Sequence, residues 1–130
     1  MKHNYPSDIV EIKENSINCN DVLTSIMLKQ KDGTHHHFII SQHQQPIGFI
    51  DFNVGRQCRI NMLELSREKQ NQGIGSCIYP YIEKKYLNSC DGITIEANSK
   101  NAMRFWKKQG FIFDYYDEQS DQYIMSKGNT

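Results

Sequence analysis

Gln70-Asn71-Gln72-Gly73-Ile74-Gly75 joins two runs of different hydrophobic period, and that junction decides the fold. Upstream, Ile60-Asn61-Met62-Leu63-Glu64-Leu65 alternates as a half-buried strand does. Downstream, Ile74, Cys77, Ile78, Tyr81 and Ile82 recur at helical spacing. A strand therefore feeds through a polar loop into a glycine-flanked helix start. The first turn of a helix leaves backbone N–H groups without intrahelical acceptors and carries the positive end of the helix dipole, so the junction suits a phosphate. Glycine at 73 and 75 removes Cβ atoms that would hold a diphosphate off the backbone.

Outward from this loop, the chain reads as one domain over residues 1–130, long enough to bury a core without staples. Residues 9–12 alternate weakly as a first strand. Asn20-Asp21 can cap a short helix with Val22, Leu23, Ile26 and Met27 on one face, although the same stretch also reads as a strand. Lys31-Asp32-Gly33 is a turn. Residues 36–42 and 46–54 form a hairpin, and residues 59–65 add a third strand to the meander. The helix after the glycine loop runs to about Leu87, and Pro80 inside it cannot donate to the Ser76 carbonyl, which predicts one bent helix. A short strand follows at 93–97. A helix capped by Asn98 or Ser99 then carries Ala102, Phe105, Trp106 and Gln109 on one face and ends at Gly110. Residues 111–117 and 122–127 close as a hairpin. This order predicts an α/β, or α+β, mixed sheet with helices packed on it.

Composition removes several classes of function. Fifteen basic residues balance fifteen acidic ones and no basic run exceeds two, so there is no footprint for nucleic acid or an anionic membrane. No apolar stretch approaches the roughly 18 residues that span a bilayer, and the N-terminus does not read as a signal peptide. Four scattered cysteines, Cys19, Cys58, Cys77 and Cys90, without a Cys-x-x-Cys pair, predict reduced thiols in a cytoplasmic protein rather than a disulfide framework. His35-His36-His37 does not predict a metal site, because neighbours on a strand point to opposite faces; a solvated strand start is the expectation.

Two motifs together resemble a family. Leu63-x-Leu65 followed by Gln70-x-x-Gly73-x-Gly75 is similar to the Gln/Arg-x-x-Gly-x-Gly/Ala signature of the GNAT superfamily of acyl-CoA N-acyltransferases. Ala102-x-x-Phe105-Trp106-Lys107-Lys108-Gln109-Gly110-Phe111 is similar to its Ala-x-x-Phe-Tyr-x-x-x-Gly-Phe. The resemblance covers residues 36–126 and implies a GNAT-like fold that binds acetyl-CoA as cosubstrate, with no metal. It implies a V-shaped gap between the strand ending at Leu65 and the strand 93–97. Main-chain groups of Leu63 and Leu65 pair there with pantetheine, Leu65 also supplying an oxyanion N–H. Backbone N–H groups across Asn71, Gln72, Gly73, Ile74, Gly75 and Ser76 hold the pyrophosphate, with Gln70 opening the loop, and Asn98 or Ser99 borders the pantetheine arm.

The chain departs from that pattern in two places. Trp106 stands where the family places a tyrosine acid, and an indole N–H does not supply a proton near neutral pH. Packing under Gly110 is therefore the first expectation for Trp106, with a share in lining the acyl end. Tyr115, Tyr116 and Tyr123 are substitutes by residue type alone. For the general base, Glu96 is favoured over Glu64, with a solvated strand carboxylate as the plain alternative. The second departure is a shortened N-terminal helical region: residues 14–34 have room for one short helix where the family places two. An acceptor side open to a peptide or small amine, or completed by a homodimer, follows. Asp114, Asp117, Glu118 and Asp121 read as a solvated turn. The expected function is acetyl transfer from acetyl-CoA to a primary amine; a non-catalytic acyl-CoA-binding regulatory module is the alternative. A toxin acting on aminoacyl-tRNA is disfavoured by the charge balance.

Overall fold

A computed structural model describes residues 10–13, 17–19, 22–30 and 34–128. In chain order the elements are β1 (Val10–Lys13), β2 (Ile17–Cys19), β3 (Val22–Gln30), β4 (His35–Gln42), β5 (Gln45–Asn53), β6 (Gln57–Leu65), α1 (Ile74–Tyr86), β7 (Gly92–Ala97), α2 (Lys100–Lys108), β8 (Ile112–Asp117) and β9 (Gln122–Gly128). They build one mixed sheet in the order β1-β3-β4-β5-β6-β7-β9-β8, with β2 paired to β3 off that path. Among these ladders only β6–β7 is parallel.

The strand reading of residues 22–27 prevails over the helical one. This segment is part of β3, which pairs antiparallel with β4 from Thr24↔Gln42 to Gln30↔His36. Its sequence satisfies both periods, and the long partner strand decides between them. Among the described residues no helix stands between β1 and β4, so the one short helix expected there is replaced by strands. The Asn20-Asp21 cap and the turn at 31–33 lie outside the described residues.

Both helices cover the same face of the sheet. α1 links β6 to β7, α2 links β7 to β8, and both connections step the same way across the sheet, so right-handed crossovers place both helices together. The Tyr79 ring of α1 accordingly meets the Trp106 ring of α2 edge-on at 5.0 Å. Ile74, Ile78, Tyr79 and Ile82 of α1 are buried against Phe38, Ile40, Ile50, Phe52, Ile60, Ile93 and Ile95 from the strands. α1 runs unbroken through Pro80, which stands on its exposed side. α2 is capped by the Ser99 side chain, which accepts from the Ala102 N–H at 3.0 Å. It closes where Gly110 N–H reaches Lys107 O and Phe111 N–H reaches Trp106 O, the paired bonds of a Schellman end.

Lys127 of β9 pins the two helices to the sheet. Its ammonium donates to both Glu83 oxygens at 2.9 and 3.0 Å and to the Gln109 carbonyl at 2.9 Å. The Lys127 and Glu83 side chains are only 29% and 24% exposed.

The described cysteines overturn the reduced-thiol expectation. Cys58 and Cys90 form a disulfide with Cα atoms 5.9 Å apart, and Cys77 is also disulfide-bonded. The Cys58–Cys90 bridge ties the start of β6 to the residue run that enters β7. Closing a loop of this size contributes about 3–4 kcal/mol in the chain-entropy picture. Sequence spacing hid the pair because 32 residues and a whole helix separate its members.

The histidine run splits as strand alternation requires, but it is not solvated. His36 turns into the core, buried and stacked on Phe52 at 5.1 Å. His35 Nε2 and His37 Nδ1 each lie 2.8 Å from the Asp51 carboxylate on the opposite face, which no described helix covers. Burial pushes the Asp51 pKa up, but the His37, Asn61 and His35 hydrogen bonds and the His35 charge outweigh it and hold the group down at about 2. Among the described residues no group of three or more His, Cys, Asp or Glu is arranged to hold a metal ion.

Two outcomes follow. Lys127→Ala is expected to cost about 1–3 kcal/mol in urea unfolding, whereas Arg56→Ala, which breaks the exposed Arg56–Asp91 pair, costs less than about 0.5 kcal/mol. Equal losses would show that Lys127 is not a pin. For Asp51, a folded pKa below the unfolded one stabilises above the unfolded value and is lost as pH falls from about 4 towards about 2. Asp51→Asn should flatten stability over that window, and an unchanged acid limb would assign it to other carboxylates.

Candidate active site

A cleft of about 780 Å³ opens where β6 and β7 part. Their parallel ladder runs from Gln57↔Gly92 to Ile60↔Ile95 and stops, leaving 61–65 and 96–97 unpaired across the gap. The cause is a bulge. Asp51 pairs with Met62 and Phe52 with Ile60, so Asn61 is the extra residue on β6. Asn61 is tied down on the β5 side, its amide donating to Asp51 Oδ1 at 2.8 Å and to Asn53 Oδ1 at 2.6 Å.

Beyond the bulge, β6 shows the gap a row of main-chain groups. Ser66 N–H bonds Ile47 O on the β5 side at 2.7 Å, so by alternation the Leu65 and Leu63 peptide groups point into the gap. Both leucine side chains pack against the core from their half-buried positions. Glu64 takes the opposite face and lines the cleft.

The glycine loop forms the next wall. Gly73 caps α1 in the left-handed region, φ 78°, and Asn71 shares it at φ 61°. Cys77 N–H is the first to close onto the helix, at Gly73 O, so Ile74, Gly75 and Ser76 present N–H groups without intrahelical acceptors. Gly75 has a second role: a Cβ there would stand 3.1 Å from the Phe105 ring, so this glycine lets α2 dock on α1. The Gln70 amide donates to Leu65 O at 2.9 Å, and the Gln72 amide to Glu68 O at 2.6 Å. These bonds hold the loop in shape; Gln70 lines the cleft and Gln72 does not.

The far wall is β7's end and α2. Asn98, Ser99, Asn101, Ala102, Phe105 and Trp106 line it. Trp106 is 6% exposed, wedged between Tyr79, Phe105 and Phe111 at centroid distances of 5.0, 4.9 and 5.2 Å. It therefore packs and faces the cleft at once.

The structure gathers Leu63, Leu65, Gln70, Asn71, Gly73, Ile74, Gly75, Ser76, Asn98, Ser99 and Trp106 around one cleft. It does not bring Glu96 among the lining residues; on β7's opposite face, Glu96 accepts from Arg59 at 2.7 Å. Among the described residues no tyrosine lines the cleft. Tyr79 is the nearest behind Trp106, but burial, with Glu83 adding, pushes its hydroxyl far up, and it donates to Glu83 at 3.1 Å. Tyr116 is spent on Asp121, and that bond raises its pKa. Reading by motif passed over Lys69, Arg104 and Lys108, which also line the cleft. The signal for two of them was available, since Arg104 and Lys108 lie four apart on a helix that carries Phe105 and Trp106.

A model of the acetyltransferase (GNAT) domain matches residues 11–126. No curated protein sequence matches the chain. Among solved structures, an acetyltransferase from Thermus thermophilus is similar at a TM-score of 0.66 and 17% identity, over 75% of this chain and 66% of that one. A PaiA N-acetyltransferase from Thermoplasma acidophilum in complex with coenzyme A gives 0.60 and 19%, over 71% and 59%. Naa50 from Arabidopsis thaliana in complex with the bisubstrate analogue CoA-Ac-MVNAL gives 0.60 and 20%, over 71% and 72%. The chain thus spans less than two thirds of the length of the first two, and at these identities the likeness is one of fold.

The loop generates a direct test. Gly73→Glu puts bulk and negative charge among the free N–H groups and should abolish acetyl-CoA binding in calorimetry. Gly73→Asn, which tolerates the same backbone conformation, is the folding control. Unchanged affinity in Gly73→Glu would remove the diphosphate from this loop.

Proposed function

Because the chain belongs to the GNAT acetyltransferase family, we propose that it moves the acetyl group of acetyl-CoA onto a primary amine by direct attack. The observation that carries the reading is the coincidence of two features in one cleft: the unpaired β6 edge at Leu63 and the Leu65 N–H, and the open N–H groups at the start of α1. An extended chain bearing amides completes the first, and a diphosphate completes the second. CoA carries both: two amides within its extended pantetheine arm, and the diphosphate at the end of that arm away from the thiol.

Attack needs a neutral amine, a polarised thioester carbonyl and an exit for the thiolate. The Leu65 N–H, pointing into the gap, is the proposed oxyanion donor. Glu64 is the proposed base: among the described residues it is the one carboxylate lining the cleft, and it faces away from the leucines. Glu96 was the favoured base from sequence, but its carboxylate is engaged by Arg59 outside the lining. For the thiolate, a thiol pKa of about 8.5 makes departure tolerable without a dedicated acid. Acceptors are proposed to reach the thioester across the face that no described helix covers, which suits an extended peptide amine or a small polyamine. The complex of similarly folded Naa50 with a CoA–peptide conjugate is compatible with the first.

A second reading rests on Trp106. With an indole where the family places its acid, and no tyrosine lining the cleft among the described residues, the domain can bind acyl-CoA and act on a partner without turnover. Thioester cleavage separates the two. Catalysis predicts CoA thiol release with at least one member of a panel of peptides and polyamines. Tight acetyl-CoA binding with none released favours the binding module.

For the base, Glu64→Gln should lower kcat by about 10²-fold or more, with the loss steepest below the acceptor's pKa. Glu96→Gln should stay within about threefold of the parent. A flat pH response in Glu64→Gln, or the larger loss in Glu96→Gln, would reverse the assignment.

A further inference from the structure

Among the described residues, three basic side chains line the cleft, Lys69, Arg104 and Lys108, against the single carboxylate of Glu64. Of the other described cations, Arg56 is paired with Asp91, Arg59 with Glu96 and Lys127 with Glu83, while Arg67, Lys84, Lys100 and Lys107 lie outside the cleft lining. Lys69, Arg104 and Lys108 have no side-chain partner among the described residues. A cleft wall that collects unpaired cations is built for an anion, and the diphosphate already has the N–H groups of the loop.

Arg104 and Lys108 sit one turn apart on α2 and so share a face. The end of that helix meets the first turn of α1, where the Gln109 amide reaches Ser76 Oγ at 3.3 Å and Phe105 covers Gly75. Lys69, in the short 3-10 helix Arg67–Lys69, stands across the glycine loop from them. A ligand whose diphosphate lies on the start of α1 therefore has two cations beside it on the α2 side, away from the gap that takes its acyl arm.

We propose that Arg104 and Lys108 form a subsite for a terminal phosphomonoester, the 3′-phosphate on the ribose of CoA, and so make the cleft select CoA over its dephosphorylated precursor. The guanidinium offers a fork to two phosphate oxygens, and the ammonium adds a point charge. This rests on the acyl-CoA reading of the cleft. It goes beyond that reading in assigning nucleotide-end specificity to Arg104 and Lys108, to which neither motif gives a role.

The experiment is calorimetric titration of the parent and of the double variant Arg104→Ala/Lys108→Ala with acetyl-CoA and with acetyl-3′-dephospho-CoA. Both side chains are exposed, so folding is expected to survive, and a matched thermal unfolding curve checks it. The parent should bind acetyl-CoA about 10- to 100-fold more tightly than the dephospho form, as two charge-assisted contacts imply. The double variant should lose that preference while binding the dephospho form as the parent does. If the parent binds both ligands equally, or if the variant weakens both by the same factor, the subsite is refuted and the cations serve the diphosphate or nothing. If the parent binds neither ligand, the acyl-CoA reading itself falls and takes the subsite with it.

Discussion

Everything in the site depends on one interrupted ladder. β6 and β7 hydrogen-bond in parallel through Ile60 and Ile95 and then part, although both strands continue. Interior strands of a sheet normally satisfy their peptide groups on both edges, and leaving a row of them open carries a cost for each group. That cost is supported by what lies behind the parting point: Ile60 and Ile95 locked in the core, and Asn61 bulged and tied to Asp51 and Asn53. The open edge, at Leu63 and at the Leu65 N–H, is thus a stored demand for a partner strand, one that a ligand with amides in an extended arm can meet.

The helices make that demand specific. α1 starts just past β6 with its first N–H groups open, and α2 holds its ring cluster against Tyr79 to form the opposite wall. The absence of a side chain at Gly75 lets Phe105 close the contact between the helices. Lys127 then ties Glu83 of α1 and the Gln109 carbonyl to β9, so the loop, the gap and the ring cluster keep one geometry. Catalytic preorganisation needs such rigidity, because a displaced thioester loses the alignment on which attack depends.

Much of this was legible in the chain because local rules and the fold agree there. The strand at 60–65, the glycine pair and the 74–82 stripe were readable, although the bulge at Asn61 that interrupts the strand's alternation was not, and Ser99 and Gly110 mark the ends of α2 in the ordinary way. Legibility failed where long-range pairing decides. Residues 22–27 satisfy helix and strand periods alike, and only β4 resolves them. The Cys58–Cys90 disulfide joins residues brought together by a crossover that spacing does not reveal. The pairing of Glu96 with Arg59 across the parallel ladder is likewise a contact no motif encodes. Arg104 escaped notice, and Lys108 was read only as part of the second motif, because charged helix residues are ordinarily solvated; their meaning comes from the cleft they line.

The measurement that tests the central claim most directly is amide hydrogen exchange with and without acetyl-CoA. Ligand seated as an added strand in the gap, with its diphosphate on α1, should slow exchange at Leu63, Leu65 and the amides of residues 73–76. The β4–β5 hairpin should stay unchanged. Protection confined to other segments, or none at saturating acetyl-CoA, would contradict a cofactor held by the parted strands.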